Sequence, residues 1–156
     1  MKHIKPYRPN VAAVIMSSEY PQKNLVLVAK RIDVKNVWQF PQGGIDRGER
    51  AKEALFRELK EEIGTDDIDV VAKYPKWLTY KFPPKIKKHM KPFSGQTQKF
   101  YLVRLKKKAL INLQTKHPEF IDYKFVTVDE AMSMATEFKK PLYREVVLYF
   151  KKKGLL

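Results

Sequence analysis

The sequence contains no cysteine, which excludes a disulfide framework and any thiolate metal site. That absence suits a reducing compartment, and a cytoplasmic protein is the expectation. No run of about 18 consecutive apolar residues occurs, so no membrane-spanning helix and no membrane partner are expected. The opening Met1-Lys-His-Ile-Lys-Pro6 lacks an apolar core, so no secretory leader is expected. Acidic residues are few: 17 Asp and Glu stand against 32 Lys and Arg, a formal net charge of +15. A surface so basic attracts polyanions such as nucleic acid, nucleotides or anionic lipid. Charge alone leaves open a basic protein with no polymeric ligand. What is present is enough to fold: 156 residues, 44% hydrophobic and 12% aromatic, exclude wholesale disorder and suit one domain with its own core.

Apolar, β-branched stretches over Asn10–Ser17 and Asn24–Lys30 predict two strands. The turn-like Ser18–Lys23 between them predicts a hairpin. Trp38–Gly44 (WQFPQGG) reads as a short strand entering a glycine loop, and Ile68–Phe82 as further strand material. The proline- and lysine-rich Pro83–Gln96 reads as an exposed, mobile loop. Strands are expected over Thr97–Leu105 and Tyr123–Val128. Thr127 and Glu130 form a capping-box pattern for a short helix, Val128–Ala135. Pro141 suits the first turn of a last helix in which Leu142, Val146, Tyr149 and Phe150 share a face. There is no internal repeat. The sum is one mixed α/β domain over 1–156.

From Glu49 to Ile63 the pattern is helical, with Gly64 at a typical stop position. At about 100° per residue, with Glu58 at zero, Glu62 falls near +40° and Glu61 near −60°. Ala51 and Ala54 share that side and leave room beside the acids. Leu55, Phe56, Leu59 and Ile63 occupy the sector from about +60° to +160°. Like charges at these spacings oppose the helix by a few tenths of a kcal/mol per pair, and acids near a helix C-terminus are again unfavourable. A cation would offset them, and oxygen-only ligands favour Mg²⁺, Mn²⁺ or Ca²⁺. The spacing alone also fits a solvated face with Arg57 and Lys60 nearby.

The whole segment Gly43–Thr65, GGIDRGERAKEALFRELKEEIGT, narrows the choice. Gly43, five residues, Glu49, seven residues, then Arg57-Glu58-Leu59-Lys60-Glu61-Glu62-Ile63-Gly64 resembles the Nudix box. Only the last position departs, with Thr65 in place of an aliphatic residue. The resemblance implies the Nudix fold, a mixed β-sheet sandwiched between α-helices. It implies hydrolysis of a phosphoanhydride by water, with Mg²⁺ or Mn²⁺ as cofactor and more than one ion bound. Glu58, Glu61 and Glu62 would be ligands, joined by the Gly43 carbonyl. Glu49 and Arg57 would brace the loop against the helix. Gly43 and Gly44 would let the backbone bend towards the metals.

The flanking Tyr7-Arg-Pro-Asn-Val11, WQFPQGG and Pro118-Glu-Phe120 resemble the bacterial RNA pyrophosphohydrolases, which remove pyrophosphate from triphosphorylated RNA 5′ ends and start decay. Hydrolases of diadenosine tetraphosphate share WQFPQGG, so dinucleoside polyphosphates and nucleoside triphosphates are the alternative substrates. The resemblance implies that Arg8 and Arg31 grip the 5′ phosphates and that Gln42 helps position them. Phe138 and Lys139 would clamp a base, stacking being worth about 1–3 kcal/mol. Glu119 would face the acidic helix as a further ligand or general base. Plain readings stay beside these: solvation for Arg8 and Arg31, packing for Phe138, and a surface loop for Glu119. Trp38 and Phe40 are expected in the core. His3, His89 and His117 fall in terminal or loop contexts with no catalytic role expected. The Lys85–Lys91 stretch suits an RNA tail or plain solvation equally. The protein is expected to act as a monomer.

Overall fold

A computed structural model of the chain describes residues 7–156, so His3 lies outside them. The strands are β1 (Tyr7–Met16), β2 (Leu25–Arg31), β3 (Trp38–Gln39), β4 (Gln42–Gly44), β5 (Ile68–Lys73), β6 (Leu78–Lys81), β7 (Gly95–Leu105) and β8 (Phe120–Thr127). The helices are α1 (Ala51–Ile63), α2 (Pro84–Lys87), α3 (Val128–Met134) and α4 (Lys140–Lys152). The fold is α/β, with one mixed sheet ordered β3-β2-β1-β7-β5; β4 adds to β1, β6 to β7 and β8 to β2.

Strand alternation builds two cores, because successive side chains point to opposite faces. On β1, Val11, Ala13 and Ile15 turn to one face, where Leu55, Leu59 and Ile63 of α1 cover them. Ala12, Val14 and Met16 turn to the other, against Tyr143, Val146, Val147 and Phe150 of α4. The sheet is thus buried on both sides, as the resemblance implied. The apolar face of α4 holds Val146 and Phe150 as expected, but its most buried members include Tyr143 and Val147 while Leu142 and Tyr149 sit at its margin. Phe40 is buried in the core as expected, whereas Trp38 is half-buried and packs against the margin of that core.

β1 runs parallel to β7 from Tyr7↔Gly95 to Met16↔Arg104. The expected hairpin of β1 and β2 closes only at Met16↔Val26. Beyond that the strands part, and β4 takes the vacated edge of β1 at Asn10↔Gly44, Val11↔Gly43 and Ala12↔Gln42. Backbone groups freed by the splay are satisfied by the inserted segment, including the Ala13 amide, which donates to the Pro41 carbonyl at 2.9 Å. The expected glycine loop is therefore strand, with Gly43 and Gly44 paired to β1.

Other boundaries shift by a few residues. Helix α1 starts at Ala51 rather than Glu49, with the Arg50 amide donating to Glu53 Oε1 at 3.0 Å. Pro83–Gln96 is not all loop: it holds α2 and the first residues of β7, and Gln96 is buried. Strand β8 starts three residues before Tyr123, at Phe120, because β2 supplies pairing partners that far. The Thr127–Glu130 capping box forms in both directions, at 3.2 and 3.1 Å.

Gly64 ends α1 in the left-handed region, at φ 77°, where a side chain is strained. A Cβ there would also lie 2.5 Å from the Asn112 carbonyl oxygen. Gly64→Ala is expected to cost about 1–3 kcal/mol in urea denaturation, with the secondary-structure spectrum retained. A loss below about 0.3 kcal/mol would show that the helix end relaxes freely.

Candidate active site

The splay of β1 from β2 opens one end of the sheet into a cleft of about 430 Å³. Arg8, Arg31, Gln42, Gly43, Glu58, Glu119, Phe138 and Lys139 all line it, from β1, β2, β4, α1, the approach to β8 and the approach to α4. Two residues expected with them stand apart. Glu61 has a side chain 58% exposed and reaches only Arg57. Glu62 lies beneath the cleft, 2% exposed. The exposed His89 and His117 do not line it.

Arg57 organises the acidic wall. Its Nε donates to Glu49 Oε2 at 2.7 Å and one Nη2 hydrogen to Glu49 Oε1 at 2.8 Å. The other Nη2 hydrogen goes to the Gly44 carbonyl at 2.8 Å, and Nη1 serves Glu58 at 2.9 Å and Glu61 at 3.2 Å. The guanidinium beside Glu49 holds that carboxyl down at about 2, and Glu49 also accepts from the Asp46 amide at 2.9 Å. Loop and helix are locked by this one side chain.

The carboxyls nearest the cleft are under stress. Burial pushes Glu58 up to about 7, against the pull of Arg57. Burial first, and then the facing Glu119 carboxyl, push Glu62 well above the carboxylate range. Neither Glu62 oxygen has a hydrogen-bond partner, which is costly for a buried acid. Among the described residues no three acidic or imidazole groups are gathered into a finished metal cage, because Arg57 holds Glu58 and Glu61 to its side. The donor set is all oxygen, in excess of the cations that touch it, and two of its atoms are orphaned. It fits a hard divalent cation.

The glycines serve close approach. A Cβ on Gly43 would lie 2.0 Å from the Glu58 carboxyl, and one on Gly44 2.2 Å from the Arg8 guanidinium. Neither glycine has positive φ, so freedom of contact rather than of bending explains them. Thr65, the departure from the box, is buried and accepts from the Asp67 amide at 3.0 Å, a local structural role away from the acids.

The floor of the cleft is a polar ladder of which the sequence pointed only to Gln42 and Lys139. Gln42 donates to Gln96 at 3.2 Å and accepts from Gln98 at 2.9 Å and from Lys139 at 2.7 Å. Gln98 also donates to Asn10 at 2.9 Å, and Tyr80 donates to Gln96 at 2.7 Å. A signal existed: Gln96 and Gln98 are in phase with the core residues Phe100 and Leu102 on β7, where polar residues need a reason. Lys139 is buried, not an exposed arm, and burial pulls its pKa down to about 7. Phe138 is half-buried and packs on Tyr80, ring centroids 5.6 Å apart, while still lining the cleft.

A divided strand register aims the remaining groups. β2 and β8 slip between Lys30↔Asp122 and Arg31↔Phe120, a bulge of the kind that re-aims side chains. At that point the Ile32 amide donates to the Glu119 carbonyl at 2.9 Å, which holds the Arg31 and Glu119 segments side by side at the cleft.

The NUDIX domain family matches residues 6–146. The chain belongs to the Nudix family. It is 58% identical, over the full length of both chains, to an RNA pyrophosphohydrolase of Campylobacter jejuni subsp. doylei. It is likewise 58% identical to one of Nitratiruptor sp., over 96% of this chain and 97% of that one. Its fold is similar to that of the E. coli dihydroneopterin triphosphate pyrophosphohydrolase, with a TM-score of 0.73 at 19% identity, covering 92% of this chain and 98% of that one. The chain is therefore a pyrophosphate-hydrolysing enzyme. No helix of the described residues is long and apolar enough to cross a membrane.

Arg57→Lys keeps one charge and loses the fork. It is expected to lower stability by about 1–3 kcal/mol in urea and turnover by about 10–100-fold at saturating Mg²⁺. Turnover within about twofold of the parent would show that the acids hold their places without the fork.

Proposed function

We propose that this Nudix enzyme, a single catalytic domain acting as a monomer in the cytoplasm, is an RNA 5′ pyrophosphohydrolase. On this reading it converts triphosphorylated RNA ends to monophosphates and so opens RNA to decay. The observation that carries the reading is the composition of one cleft: Glu58 and Glu119 line it together with Arg8, Arg31 and Lys139, and Tyr80 and Phe138 give it an aromatic edge. The identity to named RNA pyrophosphohydrolases over the whole chain supports the same substrate.

Glu58, Glu61, Glu62, Glu119 and the Gly43 carbonyl would hold Mg²⁺ or Mn²⁺, with more than one ion expected for so many acids. Bound there, the cation acidifies water and neutralises phosphate oxygens. The chain's own groups do the rest. Arg57 and Glu49 keep the acidic face turned to the cleft. Arg8 and Arg31 take the phosphates by planar charge-assisted hydrogen bonds, and Gln42 sets their depth. Phe138 receives a base on its exposed edge, with Lys139 behind it on the floor. Glu119, across from Glu62, accepts the proton of the attacking water.

The test is direct: the pure protein with Mg²⁺ is given triphosphorylated RNA and, separately, diadenosine tetraphosphate. Faster pyrophosphate release from RNA is expected; a clear preference for the dinucleotide would replace the substrate assignment. Glu62→Gln should lower turnover on either substrate by orders of magnitude with the fold intact. Phe138→Ala should weaken RNA use more than Glu62→Gln weakens RNA binding. Salt should depress binding of a longer RNA more steeply than hydrolysis of the dinucleotide, through counterion release. Equal slopes would mark the charge of +15 as incidental to RNA.

A further inference from the structure

Arg31 does not wait in the cleft with its fork open. Its Nε donates to Asp33 Oδ1 at 2.9 Å and its Nη2 to Asp33 Oδ2 at 2.6 Å. This is the two-pronged geometry by which a guanidinium takes a phosphate. Both residues line the cleft. The pair is built by its surroundings. The bulge after Lys30 turns Arg31 inward, the Arg31 amide is fixed to the Val37 carbonyl at 2.9 Å and the Ile32 amide to the Glu119 carbonyl at 2.9 Å. Asn36, in the left-handed region at φ 59°, bends the connection to β3 and keeps it short. Arg31 has no other side-chain acceptor recorded among the described residues, so Asp33 is the group a ligand must displace.

We infer that Asp33 is an intramolecular competitor for the substrate's phosphates and sets how much negative charge a ligand must bring to occupy Arg31. Asp33 carries one negative charge, whereas a phosphate end carries about 1.5 to 2 at neutral pH and more oxygens. A chain of three phosphates can replace the carboxylate on Arg31 and still hold Arg8. The monophosphate product has one group with which to do both, so the carboxylate returns and the product leaves. Asp33 therefore acts through Arg31 as a specificity and release residue. Its position fits that role: Asp33 is exposed and sits in the bend between β2 and β3, on neither strand.

This inference rests on the phosphate-gripping role proposed for Arg31. Asp33→Asn keeps the size and removes the charge. Steady-state kinetics on triphosphorylated RNA should show KM falling by about three- to tenfold with no rise in kcat. Fluorescence anisotropy with Mg²⁺ should show the monophosphorylated product bound tighter by a similar factor. Asp33→Glu should stay near the parent, and the Asp33→Asn effect should vanish in an Arg31→Ala background. A KM that is unchanged or raised by Asp33→Asn would overturn the inference, the raised case making Asp33 a brace for Arg31. Running the same comparison on diadenosine tetraphosphate separates the two readings. If the parent enzyme prefers the dinucleotide, the substrate assignment fails while the KM shift there still decides the role of Asp33.

Discussion

All five N–H bonds of the Arg57 guanidinium are spent inside the protein, on Glu49 twice, on Glu58, on Glu61 and on the Gly44 carbonyl. No other residue type offers five donors in a rigid plane. One end of this plane fixes the loop, the other fixes the helix, and the register between β4 and α1 follows. Its single positive charge faces three carboxylates in contact and Asp46 at 3.5 Å, so the acidic wall keeps a net negative excess. Glu62, buried and without a partner, would cost several kcal/mol to ionise there without a cation beside it. The chain has ample lysine to neutralise these acids and does not place it there. An all-oxygen acid set left in this state fits a hard divalent cation.

The cations of the same cleft are also restrained. Lys139 is buried in a network of amides with only the distant pull of Glu62 to favour its charge, and Arg31 is shared with Asp33. Cations are present but withheld from the acids a few side chains away. One cleft can hold both signs because the sheet splays. Where β2 leaves β1, the WQFPQGG segment enters as two short strands and carries Gln42 and Gly43 to the middle. A conventional hairpin would have closed that space with side chains.

Much of the molecule was legible without coordinates. The acidic and apolar sides of α1, its stop at Gly64, the Thr127–Glu130 box, the α4 face and most strand cores all depend on short-range geometry. So did the grouping of Arg8, Gln42, Glu58 and Phe138, once the resemblance had tied their segments together. The splay was not legible, because both strands are good strands and only the third segment decides which edge they share. The glutamine ladder is not legible in the sequence because Gln96 falls at the end of a proline- and lysine-rich stretch that reads as loop. That boundary depends on β1, which extends β7 to Gly95 by parallel pairing.

Glu58, Glu61 and Glu62 share one face of a helix by periodicity alone, and the resemblance to the Nudix box implied hydrolysis of a phosphoanhydride. Those properties repeat every turn and need no partner. Which of the three is buried needed the sheet: the same face that leaves Glu61 in solvent puts Glu62 under the cleft, because β1 and β4 cover one edge of α1 and not the other. Arg31 and Asp33 are close in sequence, yet whether they meet or point apart was set by a bulge against β8, which begins at Phe120. Local periodicity set the acids on one helix face and the likeness to the Nudix box implied the kind of site; long-range pairing decided which of its charges are paired, which are buried and which line the cleft.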